Sequence, residues 1–196
     1  MGTTAMTTAG SGAGARPRTA VRVRDYATGL AFAHLLTSAE AIAVVVSLNG
    51  ETPLTTSSLL SVPNLILVAV LVTLGTLAVV TAGRASIAPS VRWYTAGAQP
   101  DPGQRRAAVN IVRRQSVIVL GTWLVGGAIG LAAIRSPEVG VTALLGTIIV
   151  FGGTASLSTS VLFTQRTFRP IVAAAWQGAE VRATAPGVLA RLVTMW

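Results

Sequence analysis

Few side chains in this sequence could do chemistry, and those few sit among apolar neighbours. His34 is the one histidine, and Glu40 is one of six acids in 196 residues. Both fall in an apolar run over about residues 29–48, with Ser38 between them. An acid near the centre of a membrane span costs about 2.5–3.5 kcal/mol on insertion scales. Glu40 is therefore expected to be protonated, to face other helices or to pair. On a helix, six residues turn through about 240°, so His34 and Glu40 do not share a face, whereas His34 and Ser38 do. Glu40, His34 and Ser38 thus form a candidate proton- or ligand-sensing site. The plainer alternative is a buried Glu40 hydrogen-bonded to a Ser or Thr of a neighbouring helix.

Other chemistries lack their residues. Cysteine is absent, which excludes disulfides, thiolate metal sites and cysteine nucleophiles. Every basic residue is Arg, so no glycine-rich phosphate loop can lead into a lysine. The acids are scattered, and no two carboxylates stand at helical spacing. No catalytic residue, cofactor site or metal site is expected. The net charge of +9 would suit nucleic acid, but the arginines are not clustered with aromatics. The pairs Arg105–Arg106 and Arg113–Arg114 could hold anionic lipid head groups, or simply mark the bilayer edge in water.

The elements that must position these residues are membrane spans. The chain is 52% hydrophobic and 11% charged, against about 25% charged residues in a soluble domain. Its mean hydropathy is +0.66. Apolar runs at about 29–48, 62–82, 116–134 and 141–163 predict four complete transmembrane helices. Residues 1–27 read as a polar tail, 28–163 as the bundle, and 164–196 as a connector leading into the start of a fifth helix. Asn49–Pro53 and Arg135–Glu138 read as short turns, Gln99–Gly103 as a loop, and Gln104–Arg114 as a helical lead-in to the third span. The expected fold is an all-α polytopic membrane helix bundle. All arginines except Arg135 fall in the N-terminal tail, the loop after span two or the tail after span four. The positive-inside rule then puts residues 1–27 and 164–187 in the cytoplasm, with the bundle in the plasma membrane. Gly126 and Gly130 form a GxxxG spacing in span three, and Gly152 lies in span four. They predict close packing of those two helices, within a chain or between chains.

The last stretch is unusual. Arg166 to Trp176 is basic and then helical, a polar spacer follows, and Val188–Trp196 begins a new apolar run of nine residues. Nine residues cannot cross a bilayer, which needs about 20. Arg92-Trp93, Trp123, Phe168-Arg169-Pro170 with Ala173-Ala174-Ala175, and Ala185-Pro186-Gly187-Val188-Leu189-Ala190-Arg191 recur in one order before Trp196. Over roughly residues 60–196 this resembles the N-terminal membrane region of actinobacterial class III adenylate cyclases. In that family six membrane helices precede a HAMP linker and a cytoplasmic cyclase domain. The resemblance implies a membrane anchor and input module for cAMP signalling, truncated before its HAMP and catalytic parts, which a longer chain would supply. It also implies a homodimer, since the family's cyclase domains work as dimers, and it carries no catalytic residue onto this chain. The competing expectation is a self-contained four-helix protein, such as a transporter subunit or partner-binding scaffold.

Overall fold

The computed structural model describes residues 22–48, 59–134 and 139–176. The expected turns at Asn49–Pro53 and Arg135–Glu138, most of the N-terminal tail and the apolar run from Val188 lie outside them. Five helices are present among the described residues and no strand: α1 (Val23–Ser47), α2 (Val62–Thr95), α3 (Pro102–Val109), α4 (Ile111–Ala133) and α5 (Val139–Trp176). The protein is all-α, and α1, α2, α4 and α5 are long and apolar enough to cross a membrane. In lipid, backbone groups find no partner except within the helix itself. That is why these four runs are helical throughout.

The long helices form a ring. α1 packs on α2 and α5, and α4 packs on the same two neighbours. Directions alternate along the chain. Tyr26, at the start of α1, meets Thr164 near the end of α5, with 3.0 Å between the two hydroxyl oxygens. Leu30 of α1 and Gln115 near the start of α4 both close on Gly83, toward the end of α2. The start of α1 and α4 and the end of α2 and α5 therefore share one end, the end that carries Arg22, Arg24, Arg84, Arg92, Arg166 and Arg169.

Two helices run well past the apolar stretch expected from hydropathy. The 34 residues of α2 and the 38 of α5 span roughly 50 and 57 Å, against about 30 Å of hydrocarbon. The connection expected after residue 82 is thus helical as far as Thr95, and the helix expected to close near residue 163 continues to Trp176. Hydropathy marks where a helix leaves lipid, whereas a helix ends only where its backbone is capped. Pro89 and Pro170 lie inside these overhangs. Each removes one helical hydrogen bond without ending its helix.

The real stop of α2 is chemical. Gly97 has φ 66°, its N–H donates to the Tyr94 carbonyl at 3.2 Å, and the Ala98 N–H donates to Trp93 at 3.1 Å. This pair of bonds is a Schellman cap, with Gly in the left-handed position that side chains resist. The restart is also chemical. Asp101 Oδ1 accepts from the Gln104 N–H at 2.8 Å, while Gln104 Oε1 accepts from the Asp101 N–H at 3.0 Å. This capping box, with Pro102 in the first turn, opens α3 inside what reads as a loop. The expected lead-in is likewise divided at Asn110, where α3 gives way to α4.

Most of the buried apolar cluster gathers at the basic end. Tyr26, Ile87, Val91, Trp93, Tyr94, Ala108, Ile111, Phe168 and Ile171 are buried together there. Tyr26 stacks on Phe163 at 5.6 Å and meets Phe168 edge-on at 4.9 Å. Farther along α2 and α4 the large aliphatic residues turn outward, among them Ile66, Leu74, Leu124 and Val125. The contrast has a physical cause. Burial of apolar surface is favoured where water is the alternative, and lipid offers no such drive.

Candidate functional site

Beyond the basic-end core the four long helices line a partly open cavity of about 180 Å³. α1 contributes His34, Ser38 and aliphatic residues, α2 contributes Gly75, and α4 contributes Thr122, Trp123, Gly126, Gly127 and Gly130. Ile148 and Ile149 of α5 close the far side. No charged side chain lines it. Gly75 lies nine residues before Arg84 and Trp123 nine after Arg114. At 1.5 Å per residue, that sets the polar part of the cavity roughly 13 Å from the arginines, about halfway through a bilayer's hydrocarbon.

Close approach is what brings the polar groups together. A Cβ at Gly75 would lie 2.9 Å from His34 Nε2 and 3.1 Å from Thr122 Cγ2. Only glycine lets the imidazole of α1 and the threonine of α4 meet over α2. A Cβ at Gly152 would lie 2.7 Å from the Trp123 ring. That absence seats the indole against α5, with its ring 6.0 Å from His34 at 68°, edge to face. Trp123 thus touches α1 through His34 and α5 through Gly152 and Gly153.

The hydrogen bonds in this wall are unevenly spent. Ser38 Oγ donates to its own helix at the His34 carbonyl, 2.8 Å away, and Thr122 Oγ1 donates to the Ile118 carbonyl at 2.8 Å. Lipid-embedded hydroxyls commonly bond back in this way. His34 Nδ1 and Trp123 Nε1 are buried and have no partner. A buried donor or acceptor left unmade costs about 1–3 kcal/mol. Both atoms lie behind the lining, with no accessible surface of their own.

The residues singled out in the sequence separate in space. His34 and Ser38 are buried on one face of α1 and both line the cavity. Glu40 does not turn into the bundle: it is exposed, on the same stripe of α1 as Phe32, Leu36 and Val44. Gly126 and Gly130 make no close helix contact within the chain, since a Cβ on either meets no atom within 4 Å. They line the cavity instead, and Gly127 makes the close approach to α5, at Ile149. Gly152 does lie at the α4–α5 contact. Arg106 on α3 and Arg113 and Arg114 on α4 are exposed at the basic end, while Arg105 Nε donates to the Pro100 carbonyl at 3.2 Å. No group of three potential metal ligands occurs among the described residues.

Sequence reasoning missed Trp123, Thr122 and Gly75 as members of the site. A signal existed for the first. Trp123 is an indole in mid-span, three residues before the Gly126-Gly127 pair, where it needs both space and a polar partner.

No protein-family model, curated protein or solved structure matches the chain.

Proposed function

We propose that the chain is the membrane anchor and input module of an adenylate cyclase-like signalling protein, without catalysis of its own. In this reading it sits in the plasma membrane with its basic end cytoplasmic, as the placement of the arginines suggests. Cyclase and HAMP parts of a longer chain would supply cAMP synthesis, and their dimerisation would pair two such modules.

One observation carries the reading. α5 is a single helix from Val139 to Trp176. Its middle holds Gly152 and Gly153 against Trp123 in the cavity wall, and its end holds Phe168 and Ile171 in the basic-end core. A shift of Trp123 would press on the same rigid element that leaves the membrane. A ligand moves such a system only by binding its two states unequally. The cavity offers unequal contacts if Trp123 shifts between those states. Two of the residues behind the cyclase resemblance, Trp93 and Phe168, pack in the basic-end core, and a third, Trp123, lines the cavity.

The test is a chimera in which a class III cyclase catalytic domain follows Trp176. A cyclase domain draws on cytosolic ATP, so cAMP production reports the side on which α5 ends. The chimera is expected to make cAMP, and Gly126→Leu with Gly130→Leu, which fill the cavity, should change its output at least twofold. No cAMP would contradict the orientation. Output indifferent to the filled cavity would reduce the chain to an anchor. The isolated chain should make none.

A further inference from the structure

We infer that the outer face of α1 is a contact surface for a second copy of this chain, closed by hydrogen bonds between the two Glu40 carboxyls. The inference needs the bilayer but no cyclase domain, so it goes beyond the signalling role proposed above.

The position of Glu40 is what requires a partner. The polar part of the cavity, with His34, lies roughly 13 Å from the arginines, and Glu40 is six residues farther along α1, about 9 Å more. Glu40 therefore stands about 22 Å into about 30 Å of hydrocarbon. The Cα–Cβ bonds of a helix tilt toward its N-terminus, here the basic end. The side chain thus leans toward the middle of the bilayer and away from the nearer surface. Glu40 is exposed, and among the described residues nothing bonds to it. Lipid offers no hydrogen-bond partner, so a carboxyl left there carries the full cost of an unmatched polar group.

The chain itself limits what the partner can be. The arginines of the described residues stand at the basic end, out of reach of Glu40. Two copies inserted in one orientation place equal residues at equal depth. Six residues from Gly75, Trp123 and Gly153, away from the basic end, α2 has Ala69, α4 has Ile129 and α5 has Thr147. Thr147 keeps acceptor capacity, but its proton is already given to the Ala143 carbonyl, 2.9 Å away. At this depth only the partner's Glu40 offers both a donor and an acceptor. An uncharged carboxyl carries one O–H and a free acceptor oxygen, so two of them close a pair of O–H···O bonds. In a twofold contact a residue near the axis meets its own counterpart, which is the geometry this pair needs.

The surface around Glu40 suits a helix. Ala39 and Ala43 are exposed beside it, four residues apart, the small-residue spacing that lets membrane helices approach closely. Phe32, Leu36 and Val44 continue the stripe and are exposed too. None of these residues lines the cavity, so the contact leaves the cavity free.

The chain has no cysteine, so introduced single cysteines report contacts without background. A disulfide forms only where two Cα atoms come within about 7 Å. Membranes of cells expressing the full chain are oxidised with copper phenanthroline, and the dimer is read on a non-reducing gel. Ala43→Cys should crosslink at least fivefold faster than Leu124→Cys, a lipid-facing position on α4. Adding Glu40→Leu to Ala43→Cys should slow crosslinking at least fivefold. Adding Glu40→Gln, whose amide both donates and accepts, should leave the rate within twofold. Glu40 touches nothing in its own chain, so neither change disturbs the fold. Equal rates at the two cysteine positions, a rate indifferent to Glu40→Leu, or Glu40→Gln as slow as Glu40→Leu would each overturn the inference.

Discussion

Gln115 is 1% exposed, and neither its Oε1 nor its Nε2 has a hydrogen-bond partner. It lies one residue past Arg114 and closes on Gly83, where the helices leave the apolar stretch. Its amide therefore bears a desolvation cost with no return inside the chain. Gln115→Leu removes that cost at nearly constant volume and is expected to stabilise the protein by about 1–3 kcal/mol, read as a raised melting temperature in detergent. A lowered melting temperature would mean that the amide has a partner in the membrane-bound protein. His34 and Ser38 were legible at this scale, because a spacing of four fixes a shared face on any helix. The direction of Glu40 was not. α1 is apolar almost all round, with Phe32, Leu36 and Val44 turned outward while Leu30 and Ala33 turn inward. In a soluble helix the polar face would have shown which side is which. In a membrane span both sides are apolar, and the clue is erased.

Helices α4 and α5 depend on which glycines meet a neighbour. Gly152 receives the Trp123 ring, whereas Gly126 faces open space. Gly152→Leu should push the indole from its seat and cost about 1–3 kcal/mol, as overpacking does. Gly126→Leu, which enters open space rather than a packed contact, should change stability by no more than about 0.5 kcal/mol. Thermal melts of the two variants check this, and the reverse order would contradict the packing described. The GxxxG spacing of Gly126 and Gly130 was visible in the sequence, but spacing defines a stripe without saying where the neighbour stands. Gly127, one residue on, points about 100° away and meets Ile149. Helix ends are legible from capping chemistry, which the reading of apolar runs left out. Asp101 followed three residues later by Gln104 is a start signal, and Gly97 is a stop signal. Hydropathy alone had ended α2 thirteen residues too early, at 82 instead of Thr95.

The whole molecule is folded in two solvents. At the basic end, burial of Tyr26, Trp93, Tyr94 and Phe168 follows the rule for proteins in water, and the helices there are held by side-chain packing. Between the apolar flanks the helices have weaker reason to close, and the space they leave becomes the cavity. The four-helix architecture was legible from hydropathy because lipid admits helices only. The basic-end core was not, since the residues that build it are spread over α1, α2, α3, α4 and α5 and meet only once the ring has closed. Occupancy of the cavity is expected to reach this core along α5. The pair Gly126→Leu and Gly130→Leu imitates an occupant without requiring its identity. Amide hydrogen exchange, measured peptide by peptide on the purified chain, tests this coupling. Filling the cavity should change exchange at least twofold in residues 164–176 as well as in the cavity-lining stretch of α5. A change confined to residues near Ile149 and Gly152, with 164–176 exchanging as before, would contradict it.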